Sequence, residues 1–281
     1  MPKWAIPAGV VVIGAAVMVA VLMSGGDGFT MRASVVKTYE HQTEKAYTQG
    51  LEFHDGFLFE STGYTGESDW RIVNLQSGEV CYRFGISSSL FGEGITILDG
   101  KLYQITWRDR KCFVYDLAPL GLDKLDPNTI TKKDFEGKRA RKLRTEFKYD
   151  GEGWGLTNDG THIIMSSGHK SGVIVFRDTD FKVVKEITVK DADGPVAKLN
   201  ELEYVDGHIY SNVFETDTIL KIDAASGEVV DKIDCSGLLP EGTTLKPGYV
   251  LNGIARDPAS SKLYVTGKNW PSLFEVTFEK N

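Results

Sequence analysis

The chain has 281 residues, 41% of them hydrophobic, with 39 acidic against 32 basic side chains and a formal charge of −7. That composition excludes a disordered or collagen-like chain, and the acidic balance argues against general nucleic-acid binding, which needs a Lys/Arg excess gathered on one face. The three cysteines, Cys81, Cys112 and Cys235, show neither CxxC nor zinc-finger spacing, so no structural metal site is expected. An odd count leaves a free thiol whichever two could pair, and the spacing does not choose the pair.

From Trp4 to Met23 the chain is uncharged and mostly aliphatic, behind Lys3 and ahead of Ser24-Gly25-Gly26-Asp27-Gly28. Its 20 residues are just long enough to cross a hydrocarbon core. The exit lacks a clean small-x-small cleavage site, so an uncleaved signal anchor is expected, with a cleaved secretory signal as the alternative. Lys3 on the short flank then puts the body outside the cytoplasm, periplasmic or extracellular. Residues 1–28 are expected to be anchor and linker, and 29–281 a single all-β domain.

Five segments of that domain share one register: Gly50 to Phe59, Gly94 to Tyr103, Gly155 to Ile164, Glu201 to Tyr210 and Gly253 to Val265. Each reads as strand, tight turn and strand, and four carry Asp-Gly at the turn, where glycine supplies positive φ without strain. A third β run follows every unit, for example Cys112-Phe113-Val114-Tyr115-Asp116, and most continue into a fourth, such as Glu79-Val80-Cys81-Tyr82. A repeat of about 40–50 residues with three or four antiparallel strands predicts a five-bladed β-propeller rather than an open sandwich. The last unit stops near Phe278 without a fourth strand, while Ser34 to Tyr39 precede the first without a partner, so the N-terminal strand is expected to close the ring.

An excursion over about 118–144 carries Lys132, Lys133, Lys138, Arg139, Arg141, Lys142 and Arg144. Such a run reads either as a patch for RNA or an anionic membrane or as a solvated loop, and the acidic whole favours the loop. In a propeller the start of each innermost strand faces a common channel mouth. That rule gathers Thr48-Gln49, Gly92-Glu93, Glu152-Gly153-Trp154, Asn200-Glu201 and Leu251-Asn252, with Gln104 to Trp107 and Thr266 to Trp270 from neighbouring turns. Carboxylates, carboxamides, a lysine and tryptophans at one mouth describe a small polar pocket with aromatic walls. Each has a plainer reading: the tryptophans as packing between blades, Gln49, Asn200 and Asn252 as caps on backbone groups, Glu93 and Lys268 as an ion pair. HExxH, P-loop and GxSxG motifs are absent and the five histidines are scattered, so any chemistry is expected to be acid/base work without metal or cofactor.

At these residues the sequence resembles the plant-type glutaminyl cyclases and their bacterial members. The motifs are Tyr47-Thr48-Gln49-Gly50-Leu51, Phe91-Gly92-Glu93-Gly94-Ile95-Thr96, Gln104-Ile105-Thr106-Trp107, Gly153-Trp154-Gly155-Leu156, Leu199-Asn200-Glu201-Leu202-Glu203-Tyr204, Leu251-Asn252-Gly253-Ile254 and Thr266-Gly267-Lys268 ahead of Trp270-Pro271. They span about residues 45–278 in the family's order. The resemblance implies a five-bladed propeller that converts N-terminal glutamine of peptides or proteins to pyroglutamate with release of ammonia. It implies central roles for Glu93, Asn200 and Lys268, in a substrate pocket built with Gln49, Gln104, Trp107, Trp154, Glu201, Phe214, Asn252 and Trp270. Where the family often has tryptophan, Asn212-Val213-Phe214 supplies a smaller wall without an indole donor. The competing class is a propeller that binds a peptide N-terminus without turning it over.

Overall fold

The structure is a computed structural model that describes residues 28–41 and 46–281. The apolar segment Trp4–Met23, expected as an anchor, lies outside the described residues. Among the described residues no helix is long and apolar enough to cross a membrane.

Strand β1 (Met31–Glu40) precedes an antiparallel sheet of β2 (Thr48–His54), β3 (Phe57–Thr62), β4 (Asp69–Val73) and β5 (Val80–Gly85). The second sheet is β6 (Gly92–Leu98), β7 (Lys101–Thr106), β8 (Lys111–Asp116) and β9 (Arg141–Lys148), and the third is β10 (Leu156–Asn158), β11 (Ile163–Met165), β12 (Val173–Arg177) and β13 (Val183–Thr188). A small hairpin, β14 (Lys190–Asp191) and β15 (Gly194–Pro195), leads to β16 (Leu199–Val205), β17 (His208–Val213), β18 (Thr218–Asp223) and β19 (Val229–Asp234). The chain ends with β20 (Leu251–Arg256), β21 (Leu263–Gly267) and β22 (Ser272–Lys280). These last seven strands and β1 form one sheet in the order β16-β17-β18-β19-β1-β22-β21-β20.

That large sheet is two antiparallel halves joined by a short parallel contact, Met31 with Ile233 and Arg32 with Asp234. Strand β1 runs antiparallel along β22 from Met31–Lys280 to Glu40–Ser272, supplying the partner that the last repeat lacks in its own sequence. The innermost strands touch in cyclic order, β2 with β6, β6 with β10, β10 with β16, β16 with β20 and β20 with β2. Their edges therefore meet around one axis.

The turns follow the dipeptides. Asp55-Gly56, Asp99-Gly100 and Asp206-Gly207 have positive φ at both residues (50 and 82°, 53 and 69°, 47 and 85°), the two-residue geometry that matches strand twist. In the third unit Asn158 pairs with Ile163, leaving a longer turn in which the Asp159 carboxylate accepts the N–H of Thr161 (2.9 Å) and His162 (2.6 Å). The basic excursion ends at residue 140, earlier than expected, because Arg141–Lys148 pairs with β8. It is three short 3-10 turns pinned by Leu120, Ile130 and Phe135, buried beside Trp70, Tyr82 and Tyr115. Of the basic residues in the run, Lys132 rests on Glu79 (3.3 Å), and Arg141 and Lys142, at the start of β9, rest on Asp116 (2.6 Å) and over the Phe113 ring (3.7 Å). The cysteines Cys81, Cys112 and Cys235 are all buried, unbonded thiols.

Crowding at the axis explains the repeat's leading glycine. A Cβ on Gly50 would come within 2.6 Å of the Ile95 nitrogen, and one on Gly94 within 2.5 Å of the Leu156 nitrogen. The fourth repeat has Glu201 at this position. Its carboxylate accepts the N–H of Leu51 (3.1 Å) from β2 and of Ile254 (2.8 Å) from β20. Neighbouring carboxylates act alike: Glu52 takes the Ile97 N–H (3.0 and 3.1 Å) and Glu203 the Arg256 N–H (2.7 Å). Glu201→Ala strands two buried N–H groups, so it is expected to cost about 2–6 kcal/mol, at about 1–3 kcal/mol each. Glu201→Gln keeps one acceptor oxygen and is expected to lose less, and equilibrium urea unfolding of the three proteins checks the order.

Candidate active site

At one end of the axis lies a cavity of about 320 Å³ lined by Tyr47, Gln49, Phe91, Glu93, Trp107, Trp154, Asn200, Phe214 and Lys268. Its polar residues come from places where the innermost strands slip register. Pairing shifts between Thr48 and Gly50, between Gly92 and Ile95, between Leu199 and Leu202, and between Leu251 and Ile254. A bulge puts two residues opposite one and re-aims a side chain, and here the bulged stretches hold Gln49, Glu93, Asn200 and Asn252. The aromatic walls come from strand ends: Trp107 follows β7, Trp154 precedes β10, and Phe214 follows β17.

Glu93 is 5% exposed. Burial pushes its carboxyl well above the ordinary carboxylate range, Lys268 pulls it down, and Glu152 adds a further push upward. Lys268 is 3% exposed, and burial lowers its ammonium to about 8 against the opposing charges of Glu93 and Glu215. Its Nζ lies 4.9 Å from the ring centres of both Tyr47 and Phe214, a cation held between two aromatic faces. Desolvation thus favours the neutral form of both groups, and the charge of each helps to hold the other ionised, with Glu215 adding to the support of Lys268. Neither is engaged in a hydrogen bond or close ion pair among the described residues. Asn200 lines the cavity and is buried, with its Nδ2 unpartnered among the described residues.

Seven of the residues expected from sequence meet in this cavity: Glu93, Asn200, Lys268, Gln49, Trp107, Trp154 and Phe214. Four do not line it. Asn252 donates to the Thr48 carbonyl (2.9 Å) and to Gln49 Oε1 (3.4 Å), holding Gln49 from behind. Gln104 bonds Ser61 (3.2 Å) and Tyr115 (3.2 Å) inside the sheet packing. Glu201 is spent on the two axial N–H groups. Trp270 folds back over Gly267 onto Phe274, its N–H on the Tyr249 carbonyl (3.4 Å), and is core rather than wall. Tyr47 and Phe91 line the cavity but were not among the expected site residues. Each stands just ahead of an innermost strand, two residues before the bulged polar residue that lines the same cavity.

Fold and cavity together describe an all-β protein in which a buried carboxyl and a buried amine share a narrow aromatic pocket. The chain belongs to the glutamine cyclotransferase family, whose model matches residues 12–126 and 128–278. It is 34% identical over 251 residues to a glutaminyl-peptide cyclotransferase of Arabidopsis thaliana, covering 88% of this chain and 71% of that protein. The crystal structure of a glutaminyl cyclase from Myxococcus xanthus is similar, with 34% identity and a TM-score of 0.76 over 91% of this chain and all of that one.

Proposed function

We propose that the chain is a five-bladed β-propeller that cyclises N-terminal glutamine of peptides or proteins to pyroglutamate, releasing ammonia, with Glu93 as proton shuttle and without a metal. The observation that carries this reading is the convergence of Glu93, Lys268 and the unpartnered Asn200 Nδ2 on one small aromatic cavity. Among the described residues no group of three or more His, Cys, Asp or Glu side chains is arranged to hold a metal ion. The same proposal makes residues 1–28 an anchor and linker, with the catalytic domain 29–281 outside the cytoplasm, on the strength of the apolar run behind Lys3.

The reaction joins the α-nitrogen of the substrate to its own side-chain carboxamide carbon and breaks that carbon's bond to nitrogen. At neutral pH most α-amines are protonated, with a pKa of about 7.7–8.0, and do not attack. The Glu93 carboxylate binds the ammonium, accepts its proton and frees the lone pair. Attack turns the carboxamide oxygen into an oxyanion, which the Lys268 ammonium and Asn200 Nδ2 stabilise as donors. Glu93 passes that proton to the departing NH₂ group, which leaves as ammonia, then takes the second proton off the ring nitrogen and hands it to the ammonia. The substrate's ammonium thus becomes a neutral lactam plus ammonium, no water is consumed, and Glu93 ends ionised as it began. Tyr47, Phe91, Trp107, Trp154 and Phe214 fold the flexible side chain into the attacking conformation. Well-oriented intramolecular attack of this kind removes about 7–11 kcal/mol of barrier.

Purified full-length protein is expected to release ammonia from a short peptide with N-terminal glutamine, unaffected by chelator. Glu93→Gln is expected to abolish release while its unfolding curve stays that of the wild type. Loss on chelation that added metal restores would overturn the metal-free step, and full turnover in folded Glu93→Gln would remove Glu93 from its role. Absence of release across several peptides would favour the binding propeller.

The pH dependence has a defined sign. Because Glu93 must be ionised and its pKa is raised, kcat/KM is expected to fall on the acid side well above the usual carboxylate range. Because Lys268 must be protonated and titrates at about 8, kcat/KM is expected to fall again above that pH. Lys268→Met is expected to lower kcat by about 100- to 1000-fold, the usual loss of one oxyanion donor, and to remove the alkaline limb it causes. Rate profiles of the two proteins from pH 5 to 10 check both limbs.

A further inference from the structure

The walls of the cavity depend on a carboxylate that does not line it. Glu152 sits in the connection from β9 to β10, between Gly151 (φ 81°) and Gly153. A Cβ on Gly153 would lie 3.1 Å from Ile105 Cδ1 and closer still to the Tyr149 ring, so glycine lets this connection lie flat against the second sheet. Glu152 Oε2 accepts the indole N–H of Trp107 (2.7 Å) and of Trp154 (3.1 Å), while Oε1 accepts from Arg108 Nε (3.1 Å). The Arg108 guanidinium in turn covers the Trp107 ring at 3.9 Å.

We infer that Glu152 is a positioning residue of the reaction, one carboxylate oxygen fixing the mutual rotation of two indole walls that belong to different sheets. Apart from the Arg108 guanidinium over Trp107, the ring contacts of these indoles are aromatic: Trp107 against Phe91 at 5.6 Å, and Trp154 edge-on to Phe214 at 5.4 Å. Such contacts resist displacement of a ring but tolerate its rotation, whereas an N–H bond to a charged acceptor is directional and about twice as strong as a neutral one. Sharing one acceptor sets the angle between the rings, which is what a folded glutamine side chain must fit. The charge has a second effect, because Glu93 is faced by Lys268, Tyr47, Tyr149 and Glu152. Lys268 draws the proton off Glu93 and Glu152 holds it on.

This inference rests on the proposed cyclisation, and its test separates the two. In the full-length chain, Glu152→Ala is expected to lower kcat/KM about tenfold to a hundredfold, the range for one or two hydrogen bonds to a charged acceptor. Glu152→Gln keeps an acceptor and loses the charge, so it is expected to recover most of the rate at its optimum with the acid limb moved to lower pH. In a Trp107→Phe background the loss from Glu152→Ala is expected to shrink, because one of its donors is gone. Wild-type kcat/KM in Glu152→Ala, or equal losses in both backgrounds with an unmoved acid limb, would overturn the assignment. A readout without substrate is the pair of indole N–H resonances, assigned with Trp107→Phe and Trp154→Phe. Both are expected to move in Glu152→Gln, and unmoved resonances would overturn the clamp even if no peptide is turned over. A wild-type chain that releases no ammonia would instead reject the cyclisation while leaving the resonances to decide the clamp.

Discussion

Sheets that meet edge-on around an axis leave a row of backbone N–H groups with no ladder to join, and every one buried there needs an acceptor. In this protein each neighbour supplies it. Glu52 on β2 takes Ile97 of β6, Thr157 on β10 takes Tyr204 of β16 (3.1 Å), and Glu201 and Glu203 on β16 take Ile254 and Arg256 of β20. Asn212 takes Gly253 (2.9 Å), and the Trp154 carbonyl takes Gly94 (2.8 Å). Burial raises Glu52 to about 8 and pushes Glu201 and Glu203 well above the ordinary range, so these acceptors are held at an electrostatic cost that the backbone bonds offset. Once the edges are stitched this way, the register slips near the strand starts become fixed features, and the side chains they carry are aimed by the axis itself.

The same dehydration that makes orphaned N–H groups costly makes the cavity reactive. An acid and an amine in water would ionise independently, but in this cavity burial drives both Glu93 and Lys268 toward neutrality, and each one's charge supports the other's. A carboxyl raised in this way is a stronger base when it does ionise, which suits proton transfer from an α-ammonium near neutral pH. Phe214 supplies a face to Lys268 at 4.9 Å and an edge to Trp154, closing one side of the cation's cage.

Much of this was legible in the sequence because the repeat is a physical period. Asp-Gly turns, the leading glycines and the unpaired N-terminal run have one consistent explanation, and the pairing of β1 with β22 follows it. The site residues on bulged strand starts were legible for the same reason, since the repeat aligns Gln49, Glu93, Asn200 and Asn252. What it could not resolve was which way each side chain turns at the bulge. Glu201 stands beside Asn200, yet one faces the axial N–H groups and the other the cavity. Trp270 follows Lys268 by two residues, yet the turn at Asn269 (φ 55°) sends it back into the core. Gln104 lies where a pocket residue was expected and instead bonds Ser61, whose hydroxyl donates to the Glu93 carbonyl, so it acts on the site through the backbone.

Closure of the ring and placement of the cavity's polar groups share a buried ionic cluster. His41, just past β1, contacts the Trp270 carbonyl (3.0 Å) and Thr266 (3.3 Å) through Nδ1 and Glu60 (3.1 Å) through Nε2. Glu60, on β3, also accepts the Thr48 hydroxyl (2.7 Å), and its carboxyl is held at about 2 because the charges and hydrogen bonds of His41, Arg71 and Thr48 overcome its burial. Thr266 and Trp270 bracket Lys268, and Thr48 precedes Gln49. The residue that ends the closing strand therefore fixes the turn that carries the amine and the bulge that carries the carboxamide. The docked N-terminal strand thus supports Lys268 and Gln49 through the same contacts that complete the last sheet, joining residues 229 apart in sequence.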